Sequence, residues 1–235
     1  MKKENLWLVY NEEDNKKLNE VCSRYKTCLD EGKTERECVA LAIDMAEKKG
    51  YKELHSTLAK GDAVKAGDKL YAVQMNKCVA FFQIGKKPMS EGMRILGAHI
   101  DSPRIDVKQK PLYEKDGLVY FDTHYYGGIK KYQWTAIPLA IHGVAVKKDK
   151  TTIPVCVGEK EEDPVFVITD LLVHLAGEQM TKKATEVVTG ENLDLLIGNR
   201  PIEQSEDLEK EEKEALKANI LNILSDTYGI EEEDL

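Results

Sequence analysis

Around Gly61 the hydrophobic period of the chain changes from that of helices to that of strands. No other feature limits the fold as much. Upstream, Asn11 is placed to cap a helix in which Leu18, Val21, Tyr25 and Cys28 recur at helical spacing, and Gly32 ends it. Thr34-Glu35-Arg36-Glu37 reads as a capping box, because its hydroxyl and carboxylate can satisfy two orphan amides reciprocally. Val39, Ala42, Ile43 and Ala46 form the stripe that helix would bury, and Lys48-Lys49-Gly50 suits its negative end and its stop. Downstream, 69–75 and 78–84 are short β-prone runs joined at Asn76-Lys77, which reads as a hairpin. Residues 94–100 form an apolar run of the kind a buried strand gives. Helices followed by strands predict an α/β fold.

Past Asp101 the runs 104–108, 118–122 and 135–146 read as strands among turns such as Lys115-Asp116-Gly117 and Tyr126-Gly127-Gly128. Residues 164–179 suit a strand or a helix. Residues 203–226 suit a strongly charged helix with an apolar stripe at Leu216, Ile220, Ile223 and Leu224 and a solvated acidic face.

Composition excludes several classes. With 34 basic and 42 acidic residues, the net charge of −8 argues against a nucleic-acid binder, which carries a basic face. No stretch reaches the apolar length of a membrane span, and the longest candidate, 137–146, contains a Pro and a His. The N-terminal residues lack the apolar core of a secretory signal. The five cysteines are scattered and form no C-x-x-C pair, which reads as reduced thiols in a cytoplasmic protein and gives no thiolate zinc site.

The sharpest chemical signal is Gly97-Ala98-His99-Ile100-Asp101-Ser102-Pro103-Arg104. On an extended backbone, residues i and i+2 share a face. The Asp101 carboxylate can therefore hold one ring nitrogen of His99 and leave the other for a metal. Ser102-Pro103 ends the run, so the pair stands at a strand end, where α/β sheets carry their sites. On spacing alone, a structural histidine remains an open alternative. No Gly-x-Ser-x-Gly elbow, phosphate-binding glycine loop or His-Glu-x-x-His motif is present.

That octapeptide resembles the signature of the aspartyl aminopeptidase family of dinuclear zinc metallopeptidases, which includes the vacuolar aminopeptidase I type. The resemblance continues through Tyr125-Tyr126-Gly127-Gly128, Leu171-Leu172-Val173-His174-Leu175, Asn199-Arg200-Pro201-Ile202 and the region 221–235. It implies the first part of a zinc-peptidase α/β sandwich domain over 1–106, followed by an inserted α+β dimerisation domain over 107–235, cut off near its end. His99 matches the first zinc ligand. Asp101 matches the acidic residue that orients it and supports catalysis. His174 matches a histidine that reaches a neighbouring subunit's active site. The implied cofactor is Zn2+, dinuclear in the complete enzyme. The implied partners are a peptide substrate and copies of the chain, as dimers that build up to a dodecamer.

Two departures qualify the resemblance. The better-known branch has a Trp and an Asp-Arg pair shortly after Tyr-Gly-Gly. Here Lys130-Lys131-Tyr132-Gln133-Trp134-Thr135-Ala136-Ile137 stands there, which points to a bacterial sub-branch without that motif for acidic residues. The family's remaining ligands (an Asp, a Glu-Glu pair, another Asp and a His) lie C-terminal to the insertion, and His55, His124, His142, Glu161-Glu162 and Glu211-Glu212 match none of them. The expectation is a zinc-dependent aminopeptidase represented by its N-terminal portion and inactive alone. The alternatives are a catalytically incompetent oligomerisation or scaffold module, or a binding protein using a cleft near Tyr126. A half sheet leaves an unpaired edge. The chain is therefore expected to self-associate, and a monodisperse monomer by light scattering would contradict this.

Overall fold

The computed structural model describes residues 4–199 and 215–234. Two compact units divide the chain, Met1–Ser102 and Pro103–Leu235. The break falls inside the signature octapeptide. Arg104–Asp106, grouped by sequence with the first part, begin a strand of the second.

The first unit opens with helix α1, Glu12–Glu31. Asn11 caps it: its side chain accepts from the Asp14 amide at 2.9 Å, and the Asp14 carboxylate accepts from the Asn11 amide at 3.3 Å. Acidic residues at 12, 13 and 14 favour the positive end of the helix dipole. At its end the Gly32 amide donates to the Cys28 carbonyl, and a β-carbon there would stand 2.7 Å from that oxygen. Helix α2, Glu35–Glu47, carries the expected Thr34–Glu37 capping box. It buries Val39 and Ala46, one heptad apart. α1 is different. Leu18 and Cys28 are half-covered, but Val21 and Tyr25 of the anticipated stripe are exposed and no residue of α1 is buried. Helical spacing marks a face; it does not supply the surface to cover it.

A three-stranded sheet follows, in order β1 (Lys52–Glu53), β2 (Lys69–Gln74), β3 (Cys78–Gln83), with the short helix α3 (Leu54–Ala59) after β1. β1 runs parallel to β2, and β2–β3 is an antiparallel hairpin. Its turn centres one residue earlier than expected, on Met75 and Asn76, both at positive φ, as a primed hairpin turn requires. Arg36 of α2 donates to the Met75 carbonyl at 3.1 Å, and the Tyr71 hydroxyl donates to Glu47 at 2.6 Å. These two bonds tie α2 to the sheet over buried Leu70 and Tyr71. The Glu47 bond is the main reason the Tyr71 phenol is pushed up to about 12.

Residues 94–100 do not form the expected buried strand. They carry no regular structure, Leu96 is 100% exposed and Ile95 80%. A strand is held by neighbouring backbones, and among the described residues none pairs with this run.

The second unit is built on a sheet of order β4 (Arg104–Lys115), β5 (Leu118–Tyr126), β8 (Leu195–Gly198), all antiparallel. The β4–β5 register shifts between Val107 and Leu112, where Lys110 has positive φ and Pro111 offers no amide. A separate hairpin pairs β6 (Ile141–Val146) with β7 (Thr152–Val157). Helix α4, Ala215–Tyr228, packs Ile220 and Leu221 on the core. Gly198 admits it: a β-carbon there would meet Ile220 at 2.8 Å. The charged stretch 203–214 and the Leu216 side chain lie outside the described residues.

Residues 164–179 form neither of the two elements the sequence suggested. Phe166, Val167 and Ile168 each make a single bridge, to Leu139, Leu196 and Thr135, and turns follow. Extension stops because the Asp170 carboxylate captures the Leu171 amide at 2.8 Å.

The core is Leu112, Val119, Phe121, Phe166, Ile168, Val188, Leu193 and Leu195. Leu193→Ala is expected to destabilise this unit by about 2–5 kcal/mol. Urea unfolding followed by fluorescence checks it: Trp134 packs on this core, whereas Trp7 of the first unit is exposed.

Candidate functional site

The first unit ends in the irregular segment that carries His99 and Asp101. The Asp101 carboxylate lies 3.0 Å from His99 Nδ1, and the Asp101 carbonyl lies 3.0 Å from the same nitrogen. Both partners accept, so Nδ1 carries the hydrogen. In the neutral ring Nε2 then holds the lone pair, the arrangement in which a histidine binds a metal. The i, i+2 spacing brings the two side chains together as the sequence suggested, although the backbone is not a strand. Both are open to solvent, 82% and 40%.

One imidazole is not a metal site. A catalytic zinc takes three protein ligands and keeps an open position. Among the described residues no three His, Cys, Asp or Glu side chains converge on one point. The donors present fit one corner of such a site and no more.

Past Pro103 the signature continues into β4. The Arg104 Nε donates to Asp106 at 2.6 Å, and the guanidinium lies over the Tyr126 ring at 4.3 Å. Register places Arg104 opposite Tyr126. Gly127 follows at positive φ against Pro103, so the Tyr-Tyr-Gly-Gly motif is a strand end turning beside the start of β4. Sequence reading missed this stack. Its one local signal was Arg-x-Asp on a strand, and the cross-strand partner depends on the register.

His174 belongs to the second unit and stands exposed on a turn, closed by the Leu175 amide donating to the Leu172 carbonyl at 2.8 Å. Its neighbours Leu171, Leu172, Val173 and Leu175 are also exposed. Asp170 anchors this turn. Its carboxylate accepts from the Gln179 side chain and the Leu171 amide, both at 2.8 Å, and from the Thr135 hydroxyl at 3.2 Å. Chiefly through the Gln179 bond, its carboxyl is held below the usual carboxylate range. Sequence reading did not single out Asp170, because two of its partners come from elsewhere in the chain.

Fold and sequence comparisons assign the class. The chain belongs to the M18 family of aminopeptidases: the profile described as aminopeptidase I zinc metalloprotease (M18) matches residues 28–235. It is 52% identical over 230 residues to a probable M18 family aminopeptidase 1 of Clostridium acetobutylicum, covering 98% of this chain and 48% of that one. The crystal structure of an M18 aminopeptidase from Thermotoga maritima superposes with a TM-score of 0.87 at 40% identity, covering 100% of this chain and 48% of the other. The mApe1 dodecamer of Saccharomyces cerevisiae shares the fold at 16% identity and TM-score 0.58, over 92% of this chain and 46% of that one. The chain spans about half the length of these relatives. Among the described residues no helix is long and apolar enough to cross a membrane.

A carboxyl depressed in the folded state stabilises the fold above its ordinary value near pH ~3.9. That contribution is lost as pH falls through the folded value. Asp170→Asn is therefore expected to lower the urea midpoint at neutral pH, and the gap to the native chain should close as pH drops below about 4. A gap that persisted in acid would assign the effect to packing.

Proposed function

We propose that the chain is the N-terminal portion of a zinc-dependent aminopeptidase that removes N-terminal residues from peptides. Family membership and the paired His99 and Asp101 support this reading. The observation that carries it is the Nδ1 bond, which leaves Nε2 as a ready ligand. By this reading His99 is one ligand of a dinuclear zinc site and Asp101 is the carboxylate that fixes its ring. The other ligands come from the half of the relatives' length that this chain does not span. The chain alone is then inactive, because one histidine cannot hold the metal. The run 94–100 would gain its strand neighbours from the same missing length.

Residues 107–235 would form a dimerisation domain inserted into the peptidase domain, with His174 reaching a neighbouring subunit's active site. One observation also favours assembly as a role in itself. The turn bearing His174 exposes four large apolar side chains in five residues, Leu171, Leu172, Val173 and Leu175, more than isolated surface hydrophobes explain. The proposed assembly is a homo-oligomer built from dimers, as large as the dodecamer of the yeast fold relative.

The purified chain with added zinc is expected to show no turnover of aminoacyl p-nitroanilides. Robust turnover abolished by a chelator would overturn the claim of inactivity. In a protein of the relatives' full length, Asp101→Asn is expected to weaken zinc binding by about 10–100-fold. Unchanged zinc affinity there would return the His99 pair to a structural role.

A further inference from the structure

We propose that the N-terminal arm, residues 5–31, is a self-association element in which helix α1 packs antiparallel on α1 of a second copy of the chain. The contact is separate from the dimerisation proposed for 107–235, and it does not depend on the peptidase reading.

The arm is ordered, yet it buries no side chain. The Asn5 side chain accepts from the Trp7 amide at 3.1 Å and starts a single helical turn, Leu6–Leu8. The Val9 and Tyr10 amides donate to the Leu6 carbonyl at 3.0 and 2.9 Å, and the Asn11 cap then opens α1. Local bonds therefore fix a display of Leu6, Trp7, Leu8 and Val9, each more than half exposed. Along α1, Val21, Tyr25 and Leu29 recur every fourth residue and so share one face. Each of these is more than half exposed too, and Cys22 stands open beside them.

A helix in a protein draws most of its stability from packing an apolar face. α1 runs for 20 residues with none buried, so its own unit does not supply that packing.

Area, charge and symmetry point to a second copy as the surface that does. The seven apolar side chains of the arm offer on the order of 800 Å², about what each partner contributes to a stable interface. Acidic residues outnumber basic ones on α1, six to four, which does not suit an anionic lipid surface. Lys16 and Lys17 lie toward one end of the helix, and Asp30 and Glu31 lie at the other. Two parallel copies would set each pair against its own like. Two antiparallel copies set lysines against carboxylates and oppose the helix dipoles. A closed assembly larger than a dimer also needs a second interface on each chain, and the arm provides one.

The experiment treats the native chain with a short bis-maleimide and follows its oligomeric state by analytical ultracentrifugation over a range of concentrations. Cys22 lies near the two-fold axis of an antiparallel pair, so the crosslinked dimer is expected to be joined through Cys22 of both copies, read by peptide mass spectrometry. Tyr25→Lys, at an exposed position, is expected to raise the dimer dissociation constant at least about tenfold and to abolish that link. A monomer at every concentration would overturn the proposal, and so would a dimer joined only through other cysteines. An unchanged dissociation constant in folded Tyr25→Lys would overturn it as well, and would return self-association to a sheet edge or to residues 107–235. If that variant fails to fold by circular dichroism, Val21→Lys takes its place with the same readings. In a protein of the relatives' full length the Cys22 link is expected to persist. Its loss there would assign the stripe to the added length and overturn the proposal.

Discussion

Strand β5 is paired on both edges, and the second unit is organised by that fact. β4 and β8 take its backbone groups on either side, and Val119 at its start is fully buried. Thr123, further along, is buried with its hydroxyl donating to the Leu193 carbonyl at 2.6 Å and its amide donating to Asp194 at 3.2 Å. The other Asp194 oxygen accepts from the Tyr113 hydroxyl of β4 at 2.6 Å. One carboxylate thus joins β4, β5 and the segment entering β8. A buried polar group is costly unless its partners are present, so this network holds one register and penalises slippage. The turn bearing His174 inherits its position from the same core, through Ile168 and the Thr135–Asp170 bond.

The first unit has no such centre. β2 is flanked by the two-residue β1 and by β3, whose Phe81 and Phe82 remain partly exposed. Its order comes from caps and a few fixed bonds, and its apolar surface exceeds what its own elements cover. The candidate site pair stands at the end of this unit, so its geometry rests on a local interaction: His99 and Asp101 find each other across two residues without help from a sheet.

What could be read from sequence divides along the same line. Caps and short-range pairs were legible because their partners are two or three residues away: Asn11 as a cap, Thr34 with Glu37, His99 with Asp101. Strand existence was legible in 104–108, in 118–122 and in the second half of 135–146, of which only Ile141–Val146 forms a strand, but not the length of β4, because the bulge at Lys110-Pro111 resembles an ending. The apolar run 94–100 was misread as buried because apolarity reports a preference for burial, and the neighbour that would satisfy it is not encoded within the run. Residues 164–179 failed for the opposite reason: single bridges to three distant residues leave no period. The Arg104–Tyr126 stack and the Asp170 anchor were invisible because each needs a register or a tertiary contact. The resemblance to a peptidase family was visible because it rests on an uninterrupted octapeptide.

The unpaired run before the octapeptide has a consequence for how the chain is handled by proteases. A protease needs about an extended, unbonded stretch of backbone that can enter its cleft, and exposed irregular segments supply it. Arg94, Ile95 and Leu96 lie in such a stretch, ahead of the Ser102–Pro103 break between units. Trypsin cutting after Arg94 would leave the caps of the first unit and the β5-centred sheet whole, and would carry His99 and Asp101 away with the second unit. Limited digestion would thus part the chain at a point that no inspection of its two folded bodies would choose as a boundary.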